Sequence, residues 1–202
     1  MTLRADQLLI ADLIPENSKV IDIGCGEGEL LSHLIKEKNI SDYGLEIESE
    51  RVAKAVSNGI SVIQGDADED LIHYADKSFD YAVLALTLQI TKKPKKTLEE
   101  ILRISKKSIV VIPNFGHIRN RLYLTYLGRM PVTKSLSFQW YNTPNIHFCT
   151  IRDFIFLTQE LECTIEKRLC MINNTAKPFI GNGTFGANVF GDQGIFVLSK
   201  DN

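Results

Sequence analysis

The feature that most constrains this chain is a glycine-rich turn between a buried strand and a helix. Residues 19–23 form a short run rich in β-branched residues that leads into Gly24-Cys-Gly-Glu-Gly28. Apolar residues then recur at helical spacing, which predicts a helix over 29–38. Glycines let a ligand lie against the backbone, and a helix N-terminus offers free N–H groups. The segment therefore predicts a strand–turn–helix unit that binds a ligand.

The alternation of strand and helix continues to residue 113. Further strands are predicted over 43–46, 60–64, 79–86 and 108–112. Helices are predicted over 49–57, with Ser49 as the N-cap, and over 97–105. Strands that alternate with helices form a parallel sheet with right-handed crossovers. The predicted fold class is therefore α/β and Rossmann-like, with helices on both faces of a mostly parallel sheet.

The region after residue 113 breaks this rhythm. Helices are predicted over 115–127 and 151–161, and the last two strands over 163–172 and 194–199. Residues 129–149 read as an irregular insertion rich in aromatic residues, and 173–191 as a flexible loop. The chain has 202 residues, which suits one domain. We expect a single domain over 1–202 with an insertion at about 115–150.

Composition and charge disfavour several other classes of protein. The net charge of -2 is unlike that of a charge-driven nucleic-acid binder, so no nucleic-acid partner is expected. The sequence contains no apolar run of membrane-spanning length and begins with no signal peptide, so we expect a cytoplasmic protein with no membrane contact. The spacing of its four cysteines fits neither a zinc site nor a disulfide framework, so no metal is expected.

The residues around the glycines indicate which ligand the turn accepts. Its third glycine, Gly28, comes one residue too early for a dinucleotide fingerprint, and the Gly-Lys-Ser/Thr of a P-loop is absent. Asp22 precedes the turn and Glu29 begins the helix. Carboxylates here repel a pyrophosphate but attract a cation. The chemistry therefore favours a nucleotide that carries positive charge, such as S-adenosylmethionine.

Two more carboxylates fit this interpretation. Glu46 ends the second strand, where an acidic side chain can accept hydrogen bonds from ribose hydroxyls. Asp66 follows the third strand, where it can accept from an adenine amino group. Each acid alone is more simply a solvated residue at a strand end. Three acids at successive strand ends beside one glycine turn favour a binding site.

At these residues the sequence resembles a class I S-adenosylmethionine-dependent methyltransferase over about 18–113. The resemblance implies a seven-stranded sheet whose last strand is antiparallel. It also implies a cofactor, S-adenosylmethionine or its product S-adenosylhomocysteine. The methionine part would lie on Asp22 and the turn residues Gly24, Cys25, Gly26 and Gly28. The nucleoside and the reacting end would lie on Glu46 (ribose), Ile47 (adenine), Asp66 and Ala67 (amino edge), and Leu86.

Longer segments resemble the MetW family of methionine-biosynthesis proteins almost end to end. They are Leu3-Arg-Ala-Asp6, Leu84-Ala-Leu-Thr-Leu-Gln89, Pro113-Asn-Phe-Gly-His117, Gly128-Arg-Met-Pro-Val-Thr133 and Trp140-Tyr-Asn-Thr-Pro-Asn-Ile-His147. The chain departs from the family pattern at Ile118 and Asn120. The resemblance implies a complex with a homoserine O-acyltransferase, which the protein would activate. It establishes no methyl acceptor.

Catalytic residues are harder to assign. Methyl transfer requires positioning of the acceptor and, in some cases, a general base. Histidine as a residue type titrates near neutrality, so His117 and His147 are the best candidates, with Tyr141 as a further one. Each histidine is more simply explained by a structural role: His117 as a cap or a packing residue under the insertion, and His147 as a contact to loop backbone. The fourth strand is followed by Thr87-Leu-Gln-Ile90 rather than Asn-Pro-Pro-Tyr, which argues against methylation of a base amine.

The sequence thus supports two functions from different classes. The first is a MetW-like accessory protein of methionine biosynthesis that binds the cofactor and contacts the acyltransferase through residues 115–149. The alternative is a catalytically active methyltransferase acting on a small molecule. A NAD-dependent enzyme is disfavoured by the glycine spacing.

Overall fold

The computed structural model describes residues 3–133, 136–179 and 183–200, and it contains one eight-stranded sheet. The strands are β1 (Lys19–Ile23), β2 (Ser41–Glu46), β3 (Val62–Gln64), β4 (Phe79–Ala85), β5 (Ser105–Pro113), β6 (Thr164–Ile172), β7 (Thr175–Pro178) and β8 (Gln193–Ser199). The helices are α1 (Ala5–Leu13), α2 (Glu29–Lys38), α3 (Ser49–Ser57), α4 (Pro94–Ile104), α5 (Ile118–Leu127), α6 (Ile151–Glu160) and α7 (Phe185–Phe190). Short 3-10 turns lie at Asp70–His73 and Leu88–Ile90.

The sheet has the strand order β3-β2-β1-β4-β5-β8-β6-β7. Strands β1 to β5 are parallel, and β8 lies antiparallel between β5 and β6. The predicted α/β class and the antiparallel last strand are confirmed. The implied count of seven strands is one too low, because β7 pairs with the outer edge of β6.

Both faces of the sheet are covered, because alternate residues of its central strands belong to two separate cores. Ile21 and Ile23 belong to the core that contains buried residues of α4 and α6. Val20 belongs to the other core, with buried residues of α1, α2 and α3. This explains why the central strands read as continuous apolar runs. The helices cover the two faces of the sheet, so the edge at the carboxyl ends of the parallel strands is the place where a site can form.

Residues 173–191 are not a simple loop, and that prediction was wrong. The chain turns back through Asn173 and Asn174, whose φ angles are 49° and 60°, so that Ile172 pairs with Thr175. Two consecutive positive φ angles define the type I′ hairpin turn, which asparagine tolerates well. Within the described residues, β7 and α7 both lie in this stretch.

Helix α1 was not predicted. Its buried positions include Asp6 and Gln7 as well as Ile10, so the apolar periodicity that reveals other helices is weak. The side chain of Gln7 accepts the N–H of Arg4 at 3.0 Å, which helps the helix begin.

Other boundaries differ by a few residues. Glu48, not Ser49, is the N-cap of α3, and its side chain makes no capping hydrogen bond. Helix α5 begins at Ile118 rather than at 115 because His117 is its N-cap. Between α5 and α6, the described residues 128–133 and 136–150 contain no helix or strand. No helix in the described part of the chain is long and apolar enough to cross a membrane.

Candidate functional site

The glycine turn brings the ends of β1 and β4 into close contact. Gly24, Gly26 and Gly28 have φ angles of 74°, 60° and 81°, which favour glycine. A Cβ on Gly24 would lie 2.6 Å from Oγ1 of Thr87, the residue that follows the end of β4 by two positions. At this position glycine is required by space as well as by conformation.

A cavity of about 530 Å³ opens beside this turn, at the carboxyl ends of β1, β2, β3 and β4. Nine of the ten residues assigned to the cofactor line it: Asp22, Gly24, Cys25, Gly26, Glu46, Ile47, Asp66, Ala67 and Leu86. Gly28 is not among the lining residues. It is the N-cap of α2, and a Cβ there would lie 2.9 Å from Cγ1 of Ile60, so its close contact is with the segment between α3 and β3.

Asp22 is the most perturbed carboxyl group of the cavity. Its side chain is 4% exposed, and no described residue donates a hydrogen bond to it. Burial is the main reason that the pKa of Asp22 is raised to about 7; Arg4 opposes this shift, and the nearby carboxylates Glu46 and Glu29 add to it. A carboxylate in this position gains strongly from a cationic group in the cavity.

Glu46 joins the end of β2 to the glycine turn. Its Oε2 accepts the Gly26 N–H at 2.8 Å, and its Oε1 accepts the N–H groups of Ile47 and Glu48 at 2.9 and 3.0 Å. Four lone pairs are available on a carboxylate, so capacity remains for a ligand hydroxyl. The carboxylate of Glu46 therefore fixes the backbone of the cavity wall and also lines the cavity.

The remaining wall combines acidic loops with an apolar ledge. Asp66 Oδ1 accepts the N–H of Asp68 at 2.9 Å, and Asp68 in turn accepts the N–H groups of Lys92 and Lys93. The side chain of Ile47 is 59% exposed at the cavity. An exposed aliphatic side chain beside a polar rim suits one face of a flat aromatic ring.

Leu86 has a strained backbone at the end of β4. Its φ of 60° is uncommon for a residue other than glycine. Its N–H donates to Val111 O at 3.0 Å, and its carbonyl accepts from Gln89 Nε2 at 2.6 Å. These contacts from β5 and from the following 3-10 turn hold Leu86 against the cavity.

The lining of the cavity is strongly acidic. Three basic side chains face it: Arg4, Arg51 and Lys92. Seven carboxylates oppose them: Asp22, Glu27, Glu29, Glu46, Glu48, Asp66 and Asp68. A negative field of this kind repels a pyrophosphate and attracts a cation.

Arg4 is a cavity residue that sequence analysis missed. Its guanidinium donates from Nε and Nη2 to Asp6 at 3.1 and 3.0 Å, and Asp6 is 4% exposed. Arg4 precedes β1 and its motif by 15 residues, so only the packing of α1 against the sheet brings it there. The one sequence signal that pointed to Arg4 was the resemblance of the segment Leu3-Arg-Ala-Asp6 to the MetW family.

The three catalytic candidates do not line this cavity. His117 Nδ1 accepts the N–H of Arg119 at 3.0 Å, and Nε2 lies 3.8 Å from Asp192 Oδ1. Burial lowers the pKa of His117. Its observed contacts are those of a helix cap, the simpler of the two explanations.

His147 and Tyr141 lie in the loop before α6. The backbone N–H of His147 donates to Gln89 O at 3.0 Å, and its Nε2 is buried with no partner among the described residues. Tyr141 is 70% exposed. Their catalytic roles stay predictions, without support from their positions.

The cysteines are free thiols: Cys25, Cys149, Cys163 and Cys170. Burial raises the pKa of Cys149 to about 11 and raises that of Cys25 as well, so these thiols are inert. Within the described residues, no group of three or more metal-ligating side chains is placed to hold an ion.

The strand order and the site at its carboxyl edge define the class I S-adenosylmethionine-dependent methyltransferase fold. A methyltransferase of this type from Thermotoga maritima matches with a TM-score of 0.70 and 19% identity, covering 96% of this chain and 87% of that chain. One from Mesorhizobium loti matches with a TM-score of 0.69 and 15% identity, covering 97% and 98%. A family model described as Methionine biosynthesis protein MetW matches residues 4–198, and the chain belongs to this family.

A curated relative is the bifunctional methionine biosynthesis protein MetXA/MetW of Rhodopirellula baltica. It is 32% identical over 179 residues, which cover 84% of this chain but 29% of that protein. An uncharacterized protein of Methanocaldococcus jannaschii is 28% identical over 141 residues, covering 70% of this chain and 62% of the relative. The chain thus spans less than a third of the bifunctional protein.

Proposed function

We propose that this protein binds S-adenosylmethionine or S-adenosylhomocysteine and acts with a homoserine O-acyltransferase in methionine biosynthesis. The observation that carries the cofactor proposal is the acidic cavity at the glycine turn, with the buried Asp22 inside it. Both ligands carry an ammonium group, and S-adenosylmethionine carries a sulfonium as well. Their positive charge suits this cavity, whereas the phosphates of a dinucleotide do not.

Each part of the cofactor has candidate partners in the cavity. Asp22 would pair with the ammonium, and Arg4 offers a guanidinium for the carboxylate of the methionine part. Glu46 has acceptor capacity left for a ribose hydroxyl, and Ile47 offers an apolar surface to the adenine. Asp66 and Ala67 would face the amino edge of that ring.

Calorimetric titration with S-adenosylhomocysteine tests the cofactor proposal. We expect saturable binding to the wild-type protein and at least tenfold weaker binding to Asp22→Asn, which removes the charge but keeps the size of the side chain. NADH, added at the same concentrations, is expected not to bind. Absence of S-adenosylhomocysteine binding, or tighter binding of NADH, would contradict the proposal.

The partner proposal rests on the family and on an exposed surface. The Rhodopirellula relative carries MetXA and MetW in one bifunctional protein, so the two activities are physically joined there. In the present chain, the described residues 136–148 between α5 and α6 form what we term the aromatic segment. Phe138, Trp140 and Tyr141 are 48%, 71% and 70% exposed. Exposed aromatic side chains in one segment are typical of interface hot spots.

Binding to a purified homoserine O-acyltransferase from the same organism tests the partner proposal. We expect a complex by size-exclusion chromatography, weakened at least tenfold by the double substitution Trp140→Ser and Tyr141→Ser. Phe156→Ser is the matched control, since Phe156 is 61% exposed on α6 and lies outside the aromatic segment. Equal loss with the control variant would place the interface elsewhere.

A second candidate is a methyltransferase acting on a small molecule. It is favoured by a second large cavity that shares Arg4 with the first. The test is release of S-adenosylhomocysteine from S-adenosylmethionine in the presence of candidate acceptors. Turnover that Asp22→Asn abolishes would establish catalysis, whereas acyltransferase activation without turnover would favour the accessory role.

A further inference from the structure

A second cavity of about 510 Å³ lies on the other side of Arg4, at the same edge of the sheet. Its wall is formed by the segment after β5, the turn between β6 and β7, the start of β8 and the start of α1. Its charged and titratable lining residues are Arg4, Asp6, His117, Arg119 and Asp192. Its volume falls in the range of small-molecule sites.

The charges in this cavity are balanced but only partly paired with one another. Arg4 and Asp6 hold each other through two hydrogen bonds. Arg119 makes no ion pair with any described carboxylate. Asp192 accepts the Asn173 N–H at 3.0 Å through Oδ2, while its Oδ1 lies 3.8 Å from His117, beyond a good hydrogen bond. One guanidinium and one carboxylate oxygen are therefore available to a ligand.

The imidazole of His117 does not change this balance. Because Nδ1 accepts from the Arg119 backbone, a single proton resides on Nε2. Burial lowers the pKa of His117, which favours the neutral ring. A neutral ring does not offset the negative charge of Asp192.

The rest of the wall is polar. Met171 and Ala5 are the apolar side chains among the described lining residues. The amides of Asn120, Asn173, Asn174 and Gln193 provide donors and acceptors. A wall of this composition disfavours lipids and flat hydrophobic ligands.

We propose that this second cavity binds a small zwitterionic α-amino acid with a polar side chain. Its carboxylate would pair with Arg119, its ammonium with Asp192, and its side chain would reach the amides. The proposal goes beyond the cofactor and partner proposed above and does not require either of them. Since Arg4 faces both cavities, occupancy of one also changes the environment of the other, and any such coupling is reciprocal.

NMR and calorimetric titrations with L-serine and L-glutamine test this proposal, each with and without saturating S-adenosylhomocysteine. We expect saturable binding in both conditions, with chemical-shift changes confined to the lining residues. Arg119→Gln and Asp192→Asn should each weaken binding at least tenfold. Arg152→Gln is the matched control, because this exposed arginine on α6 lies outside the cavity.

Ligands that carry charge of only one sign provide the decisive contrast. Sulfate and putrescine are each expected to bind at least tenfold more weakly than L-glutamine. Equal binding of sulfate would replace the proposal with a simple anion site, and binding unchanged by Arg119→Gln would overturn it. Titration without S-adenosylhomocysteine keeps this result separate from failure of the cofactor proposal.

Discussion

Asp22 shows how a single residue can make ligand binding depend on pH. Its carboxyl is buried at the end of β1 among other acids, and its pKa is raised to about 7. The ordinary aspartate value is about 4, so the group is largely protonated in the empty cavity below neutrality. An ammonium-bearing ligand favours the charged form and must displace that proton.

We expect the affinity for S-adenosylhomocysteine to fall by about tenfold per pH unit below pH 7 and to level off above about pH 8. Binding near pH 6 should release a proton, which calorimetry in buffers of different ionisation enthalpy detects. Asp22→Asn should remove this pH dependence. An unchanged pH profile in the variant would assign the titration to another group.

The same pKa predicts how stability changes in the absence of ligand. A carboxyl whose pKa is higher in the folded state favours folding while protonated, and this contribution is lost as pH rises from about 4 through about 7. The free energy of unfolding should therefore decline over this range by a few kcal/mol from Asp22. Urea titrations of wild type and Asp22→Asn measure the difference, and the variant should show a smaller decline.

Glycine substitutions separate backbone strain from close contact. Gly24, Gly26 and Gly59 all have positive φ, but a Cβ would clash with Thr87 only at Gly24. Gly59→Ala, with nothing within 4 Å of the new atom, measures strain alone, at about 1 kcal/mol. Gly26→Ala should cost a similar amount, and Gly24→Ala should cost roughly 1–3 kcal/mol more. Chemical denaturation checks the order, and equal costs at Gly24 and Gly59 would contradict it.

At the scale of elements, α1 depends on an ion pair that is half buried. Asp6 is 4% exposed, whereas Arg4 is 53% exposed. Removing the guanidinium leaves a buried carboxylate without its partner. Because α1 contributes Ile10 and Ala11 to the core, this loss affects how the helix packs against the sheet.

Arg4→Gln should therefore destabilise the protein by about 1–3 kcal/mol, and Asp6→Asn in the same chain should recover part of the loss. A double-mutant cycle by urea unfolding measures the coupling. Arg51→Gln is the matched control, since Arg51 pairs with Glu48 where both side chains are exposed, and it should cost little. Equal losses at Arg4 and Arg51 would show that burial of Asp6 has no effect.

The β6–β7 hairpin is an element determined by two residues. Asn173 and Asn174 adopt the positive φ angles of a type I′ turn. Asn174→Gly should stabilise the protein by about 0.5 kcal/mol, because glycine adopts this conformation without strain, while Asn174→Val should destabilise it by about 1 kcal/mol or more. Thermal unfolding of the pair gives the comparison, and the opposite order would exclude this turn.

At the scale of the whole molecule, ligand binding and folding are linked. The first cavity draws its lining from α1, from the glycine turn and from the segments after β2, β3 and β4. A ligand that contacts all of these stabilises the folded chain against the unfolded one. We expect S-adenosylhomocysteine at 100 times its Kd to add about 2.7 kcal/mol and to raise Tm by roughly 5–10 °C. Differential scanning calorimetry checks this shift, with NADH as the inactive control.

Much of the fold was predictable because its signals are local. Glycines at residues 24, 26 and 28, and apolar runs of strand length, impose backbone geometry wherever they occur. They predicted β1 and α2 with the same first and last residues that the structure has, and they predicted a mostly parallel sheet. Helix α1 and strand β7 escaped prediction, since their stability comes from contacts made by polar residues such as Asp6 and from a two-residue turn.

The candidate site also has parts that the sequence predicts and parts that it does not. Nine assigned residues line the first cavity because strand ends in a parallel sheet meet at one edge. Gly28 was assigned to the ligand because glycine spacing does not reveal what a glycine faces, and it faces Ile60. The roles of the site residues, and the organisation as one domain with an insertion, stay predictions.

The sequence by itself determined the fold class, and it predicted the edge of the sheet where the first cavity lies and the sign of the charge that we propose for its ligand. Those properties follow from residue type and spacing along one strand–turn–helix unit. Only the tertiary structure decided that Asp22 is desolvated and that Arg4 lines the same cavity as Asp22. It also decided that His117 lines the second cavity instead of the first. Burial and long-range proximity depend on how distant elements pack, and packing is not encoded in any single local pattern.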